Sequence, residues 1–232
     1  NEAEFVFNSL SDCDVVSWNA MLSTFIDNGE ARKALQIYKK LWEENVSPNT
    51  LTLTMALQAC GILAEKKENF GLDGISSKMV SWKIGKGLHH DIRENGQDVD
   101  VFVGSALVNM YGKCDQVELA EKVFARMCDR DVVSWNIMIS IQPWHSIQLL
   151  WQMKMESLLP SKATFSSILT ACTTCVLSLA FIKCLHAQIV ANGLDTDVMI
   201  VTSLLSIYGK RGFMDEAWLI MDSSNIHDMV MY

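Results

Sequence analysis

The sequence lacks the features that mark several common classes of protein. It has no run of about 18 apolar residues, so no membrane-spanning helix is expected. It has no Gly-x-x-x-x-Gly-Lys phosphate loop and no Gly-x-Ser-x-Gly nucleophile turn. None of its five histidines begins a His-x-Glu pair, and none of its three prolines precedes a Cys, as a zinc-dependent nucleobase deaminase requires. The sequence therefore predicts no enzyme, no cofactor and no membrane partner.

Basic residues are also in short supply. The chain has 19 Lys and Arg against 27 Asp and Glu, which gives a formal net charge of −8. Phosphate binding needs local Lys and Arg, so this charge counts against a nucleic-acid partner, although a basic groove can lie on an acidic protein.

The seven cysteines are odd in number, and the chain is not small. A disulfide framework is therefore not expected, and a reducing compartment is favoured.

An internal repeat is the strongest feature that the sequence does contain. The five residues Val-Val-Ser-Trp-Asn at Val15–Asn19 return at Val132–Asn136, which is 117 residues later. Val101–Lys113 and Val198–Lys210 share a second pattern that ends in Tyr-Gly-Lys, and they lie 97 residues apart. Self-similarity of this kind is the signature of repeat architectures.

Each unit has the pattern of a helical hairpin. In the first unit, apolar residues recur at helical spacing from Trp18 to Phe25 and from Ala31 to Trp42, and Gly29 separates the two stripes. A hairpin with apolar faces on both helices cannot bury them alone, so neighbouring hairpins must stack on it. The predicted fold is therefore all-α, an α-solenoid of stacked helix-turn-helix repeats.

The predicted repeats follow the order standard, long and short, twice over. They occupy residues 15–49, 50–100, 101–131, 132–161, 162–197 and 198–228, between the tail of a truncated repeat at 1–14 and the start of another at 229–232. Alignment of the repeats places an extra loop of about 15 residues near 65–81, and a deletion of about five residues after Ser140. Because the chain enters mid-helix, we expect a fragment of a longer protein whose targeting segment is missing.

The recurring phrases resemble the plant pentatricopeptide repeat (PPR) proteins, in the subclass that alternates standard, long and short repeats (PLS type). The resemblance is carried by the Val-Val-Ser-Trp-Asn openings, by the closing Tyr-Gly-Lys, and by Ala59-Cys60 and Ala171-Cys172 in the long repeats. It extends over all of the chain except the extra loop. It implies a right-handed superhelix that binds single-stranded RNA, with about one base for each repeat.

The resemblance assigns base recognition to the fifth and the last residue of each repeat. These are short polar side chains throughout, which can donate to or accept from the Watson–Crick edge of a base. The predicted RNA-binding pairs are Asn19 with Asn49, Thr54 with Asp100, Ser105 with Asp131, Asn136 with Ser161, Ser166 with Asp197, and Thr202 with Asp228. The family's pairing rules predict the readout pyrimidine, any, G, pyrimidine, any, G from the RNA 5′ end.

The second residue of each repeat is mostly apolar and is expected to wedge between bases. These residues are Val16, Leu51, Phe102, Val133, Ala163 and Met199.

The resemblance further implies a site-recognition factor for organellar RNA processing such as C-to-U editing, in the mitochondrion or the chloroplast. RNA-editing factors are its expected partners, and the chain is expected to be a monomer. The chemistry would then belong to a C-terminal deaminase-like domain absent from this chain, or to a partner protein. The alternative is a protein–protein interaction scaffold resembling tetratricopeptide repeats, which the acidic charge favours. Asn, Asp and Ser at the repeat ends favour RNA, because a peptide groove has no evident need for them.

Two further groups of residues are predicted to pack in the core. Cys172 and Cys175 have the spacing of a zinc knuckle, but Cys172 shares the repeat position of Cys60, where no second Cys follows. No metal site is therefore predicted. His89 and His186 also share a repeat position, and a packing role is predicted for both.

Overall fold

The computed structural model describes residues 14–66, 69–70, 75–94, 96, 100–174 and 178–223, and the chain divides into two compact units, Asn1–Arg130 and Asp131–Tyr232. The helices of the first unit are α1 Val15–Asp27, α2 Ala31–Glu43, α3 Thr50–Glu65, α4 Ser77–Glu94, α5 Val101–Lys113 and α6 Val117–Arg126. The helices of the second unit are α7 Val132–Ile141, α8 Ser146–Met155, α9 Lys162–Thr174, α10 Leu179–Ala191, α11 Val198–Lys210 and α12 Met214–Ser223.

Every predicted repeat contains two of these helices, a first and a second. In the first unit, α1 packs against α2 and α3, α3 packs against α4 and α5, and α5 packs against α6. In the second unit, α7 packs against α8 and α9, α9 packs against α11, and α11 packs against α12. Within each unit, a first helix thus contacts the first helix of the next repeat, which is how stacked hairpins of a solenoid share a core. The predicted fold class, an all-α solenoid of stacked helical hairpins, is confirmed.

Equivalent residues of the repeats fill the cores of the two units. Trp18 and Trp135, which occupy the same repeat position, are each 2 % exposed and belong to the cores of their units. Gly29, which follows α1, has a φ of +69°, so it lies in the left-handed region that glycine reaches without strain. Gly85 has a different role, because a Cβ there would lie 2.4 Å from Met110 Sδ. This glycine allows α4 to pack closely on α5.

The histidines of the long repeats pack against the tyrosines of the short repeats. His89 Nδ1 lies 2.8 Å from the Tyr111 hydroxyl, and the two rings meet edge to face. His186 and Tyr208 repeat the edge-to-face contact, with ring centroids 6.1 Å apart. The packing role predicted for these histidines is confirmed.

Part of the segment near 65–81, where the sequence predicts an extra loop, is helical. β1 Asn69–Phe70 and β2 Ile75–Ser76 form an antiparallel pair, and α4 already begins at Ser77. Ser77 and Ser81 are both buried, one helical turn apart. A buried face made of serine carries no apolar periodicity, so the sequence pattern could not reveal this part of the helix.

The first helix of the second unit ends soon after Ser140, close to Pro143. α7 has 10 residues, whereas the equivalent α1 has 13. A 3₁₀ turn, Pro143–His145, then leads into α8. Proline has no N–H to continue the hydrogen bonds of α7, so the chain tightens into this turn and restarts as a new helix.

Candidate functional site

The last residues of the predicted repeats cap the helices that follow them. Asp100 Oδ1 accepts the backbone N–H groups of Phe102 and Val103, at 2.9 and 3.1 Å. The other four residues of this type accept backbone N–H groups in the same way. The capping residues are Asn49 of α3, Asp100 of α5, Asp131 of α7, Ser161 of α9 and Asp197 of α11. Asp228 lies outside the described residues.

The capping role offers a structural reason for Asn, Asp and Ser at the repeat ends. Asn, Asp and Ser are the preferred helix N-caps in any protein, because their side-chain oxygens satisfy N–H groups that the helix leaves open. Contrary to the expectation from the sequence, these residues therefore do not favour RNA over a peptide, since a peptide-binding solenoid needs the same caps. Their position still places them at the start of each first helix, next to the second and fifth residues.

The second residues of the repeats are exposed, although most are large and apolar. Val16, Phe102 and Met199 are each 66 % exposed, and Leu51 and Val133 are more than half exposed. Ala163 is exposed as well. A hydrophobic side chain left in water at the same repeat position each time requires an explanation other than packing.

The fifth residues differ in burial and in partners. Asn19 and Ser105 are buried, Thr54 and Asn136 are half-buried, and Ser166 and Thr202 are exposed. The hydroxyls of Thr54 and Thr202 donate to carbonyl oxygens of their own helices. Ser105 Oγ and Asn136 Oδ1 have no hydrogen-bond partner within the described part of the chain. Both of these atoms are buried.

One fifth residue directly contacts the last residue of its own repeat. Asn19 Nδ2 donates to Asn49 Oδ1 at 3.2 Å. Thr52, the third residue of the next repeat, is hydrogen-bonded to both of them. The first pair predicted from the sequence is thus brought together. Sequence reasoning missed Thr52, although a polar residue followed three positions later by a hydroxyl recurs at Asp14 and Ser17, and at Asp131 and Ser134.

An ion pair joins the first residue and the last residue of one repeat. Lys162 Nζ lies 2.7 Å from Asp197 Oδ2, while Asp197 Oδ1 caps α11. The hydrogen bond from Lys162 is the main cause that lowers the pKa of Asp197, and the N–H groups of the helix lower it further. Both oxygens of Asp197 are therefore occupied by groups of the protein itself.

The buried cysteines have the properties of core residues. Burial raises the pKa of Cys60 to about 12 and that of Cys114 to about 11, so both thiols stay protonated at neutral pH. Cys172 is fully buried, as its repeat position predicts, whereas Cys175 lies outside the described residues. Among the residues that the structure describes, no group of three or more His, Cys, Asp or Glu is placed to hold a metal ion. In the same part of the chain, none of the helices combines the length and apolar character that crossing a membrane would require.

Paired helices of this size, with a polar cap at the start of each repeat, define a protein of the helical-hairpin repeat class. Residues 14–61 match the PPR repeat family, and residues 105–132 and 200–223 match the PPR repeat. The chain therefore contains repeats of the PPR family.

Relatives in Arabidopsis thaliana match nearly the whole chain. Pentatricopeptide repeat-containing protein At5g27110 is 33% identical over 89% of this chain. At1g11290, chloroplastic, is 33% identical over 94%, and At2g03380, mitochondrial, is 31% identical over 96%. The chain spans 28%, 25% and 31% of these relatives, respectively.

A solved structure has the same fold. The pentatricopeptide repeat protein PPR10 in complex with an 18-nt psaJ RNA element superimposes with a TM-score of 0.61 at 18% identity. The match covers 93% of this chain and 29% of that one.

Proposed function

We propose that this chain binds single-stranded RNA in a sequence-specific manner, with one nucleotide facing each repeat. The observation that carries the proposal is the exposure of the second residue in all six predicted repeats. Each of these residues is the second residue of a first helix. It lies next to the polar cap and about one helical turn before the polar fifth residue. An exposed apolar side chain beside hydrogen-bonding groups is what stacking on a base, combined with recognition of its edge, requires.

The fifth and last residues are proposed to recognise the bases. They are Asn19 with Asn49, Thr54 with Asp100, Ser105 with Asp131, Asn136 with Ser161, Ser166 with Asp197, and Thr202 with Asp228. The readout that follows is pyrimidine, any, G, pyrimidine, any, G from the RNA 5′ end. The repeat boundaries and the PLS order on which it depends belong to the same proposal.

The proposed role is that of an adaptor without chemistry of its own. It would direct organellar RNA processing, such as C-to-U editing, to chosen sites, and RNA-editing factors would be its partners. The labels chloroplastic and mitochondrial on the relatives support an organellar location. The PPR10 complex supports RNA as the ligand, because that protein has the same fold and holds RNA.

Enrichment from a pool of randomised RNA tests this proposal. Three rounds of selection on the immobilised 232-residue chain should enrich RNA with two guanines three positions apart. Each guanine should have a pyrimidine two positions upstream of it. Enrichment of an unrelated pattern, or of no pattern at all, contradicts the proposal. A chain that carries Ser105→Asn is the matched control. In the aligned selected RNAs, it should change the base at one of the two guanine positions and leave the other guanine unchanged.

A protein-interaction scaffold is the second candidate, and one observation favours it. A groove of about 560 Å³ lies between the second helices α2 and α4. Tyr38, Trp42 and Leu88 line it, and Trp42 is 45 % exposed. An apolar groove of this kind fits the side chains of a peptide. Substitution of Trp42 therefore separates this candidate from RNA binding.

A further inference from the structure

A cavity of about 390 Å³ lies between α4 and α6, which are second helices of the first unit and both pack against α5. Its floor is apolar, because Val123 is 5 % exposed and Leu119 is half-buried beside it. Its rim is cationic, because Arg93, Lys122 and Arg126 line the cavity and are all exposed. The cavity therefore combines an apolar floor with three positive charges.

We propose that this cavity binds an acidic peptide segment of a partner protein. One bulky apolar side chain of the segment enters the cavity, and the carboxylates on either side of it meet the cations of the rim. The inference does not rest on RNA binding, since the described residues that line the cavity include no second or fifth residue of a repeat. They are also different residues from those that line the groove between α2 and α4.

The charge of the cavity is opposite to that of the chain as a whole. The chain has a formal net charge of −8, yet the described residues that line the cavity include the three cations and no carboxylate. Glu118 and Glu121 belong to α6 but do not line the cavity. Within the part of the chain that the structure describes, neither Arg93 nor Lys122 forms an ion pair. These two side chains are therefore available to carboxylates from another molecule.

The second unit shows that the fold does not require these cations. Its equivalent helices are α10 and α12, which lie 97 residues further along the chain. The three equivalent positions carry no charge and are occupied by Val190, Leu219 and Ser223. An arginine in the last turn of a helix also interacts favourably with the helix dipole, but α10 and α12 form without any basic residue there. Helix stability therefore does not explain the cations of the first unit.

The floor of the cavity favours a peptide over a nucleic acid. A phosphate has no apolar surface to place against Leu119 and Val123, whereas a Leu or Phe side chain gains free energy by leaving water there. Bases usually stack on aromatic side chains. Among the described residues that line the cavity, the one ring is that of His89, and it already packs edge to face against Tyr111.

Fluorescence anisotropy with the whole 232-residue chain tests the proposal. The probe is a labelled peptide of sequence Asp-Glu-Phe-Glu-Asp, and the control probes are Asp-Glu-Ser-Glu-Asp, Lys-Arg-Phe-Arg-Lys and an oligouridine. The acidic Phe peptide should bind at least about tenfold more tightly than either control peptide. The first control peptide lacks the apolar side chain, and the second reverses the charge.

Variants of one rim residue locate the binding. Lys122→Glu should weaken binding of the acidic Phe peptide by about fivefold to tenfold, because it turns an attraction into a repulsion. Lys122→Arg keeps the charge and should keep the affinity. Lys83→Glu is the matched control, because Lys83 is exposed on α4 outside the cavity and the change in net charge is the same. It should leave the affinity within about twofold of the wild type.

Three results would overturn the proposal. The first is equal binding of the three peptides. The second is equal weakening by Lys122→Glu and Lys83→Glu, because net charge alone then explains the binding. The third is weaker binding of oligouridine by Lys122→Glu when the acidic Phe peptide does not bind, because the cavity is then a nucleic-acid contact. A failed selection from randomised RNA overturns the proposed function instead, and it does not alter these peptide results.

Discussion

Phe102→Ala weakens RNA binding by roughly fivefold to 150-fold, because stacking of one base on an aromatic side chain contributes about 1–3 kcal/mol. Phe102 is the second residue of its repeat and is 66 % exposed at the start of α5. Removing it leaves no cavity in the core, so the loss of affinity should come without loss of stability. Fluorescence anisotropy with a labelled selected RNA measures the first quantity, and thermal denaturation measures the second.

Trp42→Ala is the matched control for this substitution. Trp42 is an exposed aromatic residue in the same unit, but it lies on the second helix α2. We expect it to leave RNA affinity within a factor of two. If Trp42→Ala weakens binding as much as Phe102→Ala does, the first-helix surface is not the RNA site. If Phe102→Ala has no effect on RNA affinity, the second residues do not contact bases.

Phe165→Ala destabilises the second unit by about 3–5 kcal/mol, the usual cost of deleting a fully buried phenylalanine. Phe165 is 0 % exposed on α9, which packs against both α7 and α11. The cavity left by the ring would therefore weaken contacts on two sides of the same helix. Urea denaturation monitored by circular dichroism should show the loss as a lower midpoint of the transition.

Phe102→Ala provides the comparison for stability, since it makes the same chemical change at an exposed site. Its urea midpoint should stay close to that of the wild type. Equal destabilisation by the two variants would mean that Phe102 is packed in solution, which contradicts its proposed contact with a base. An unchanged midpoint for Phe165→Ala would mean that α9 is not part of the core.

The fold could be predicted from the sequence because the same apolar residues recur at equivalent repeat positions, and this recurrence strengthens a weak local pattern. Trp18 alone predicts little, but Trp135 in the same repeat position predicts a shared core role, and both are buried. The same argument placed His89 and His186 against neighbouring helices. Where a segment has no second copy, this advantage disappears. The start of α4 at Ser77 was therefore missed, because its buried face is formed by serines.

The candidate site was accessible only in part, since residue type does not reveal what a side chain is bonded to. Asn19 and Asn136 are the same residue in the same repeat position, yet Asn19 is tied to Asn49 and Thr52 while Asn136 keeps an unpartnered oxygen. The capping role of Asp100 and its counterparts was also overlooked, although the residue before a helix is where Asp and Asn are preferred. A polar residue at a repeat end caps the helix that follows it. Whether it can also bind a base depends on the hydrogen bonds that its side chain makes to neighbouring residues.

The salt dependence of RNA affinity tests the central claim most directly, because it distinguishes contact with a nucleic-acid backbone from contact with a peptide. We predict that the logarithm of the association constant falls linearly with the logarithm of the salt concentration, with a slope of about −0.7 for each phosphate contact and about −4 for six. The titration uses the 232-residue chain and its selected RNA, with Phe102→Ala as a variant that should lower the line without changing its slope. An affinity that does not change with salt would contradict RNA binding by this chain, and tight binding of a peptide in the α2–α4 groove would then favour the scaffold.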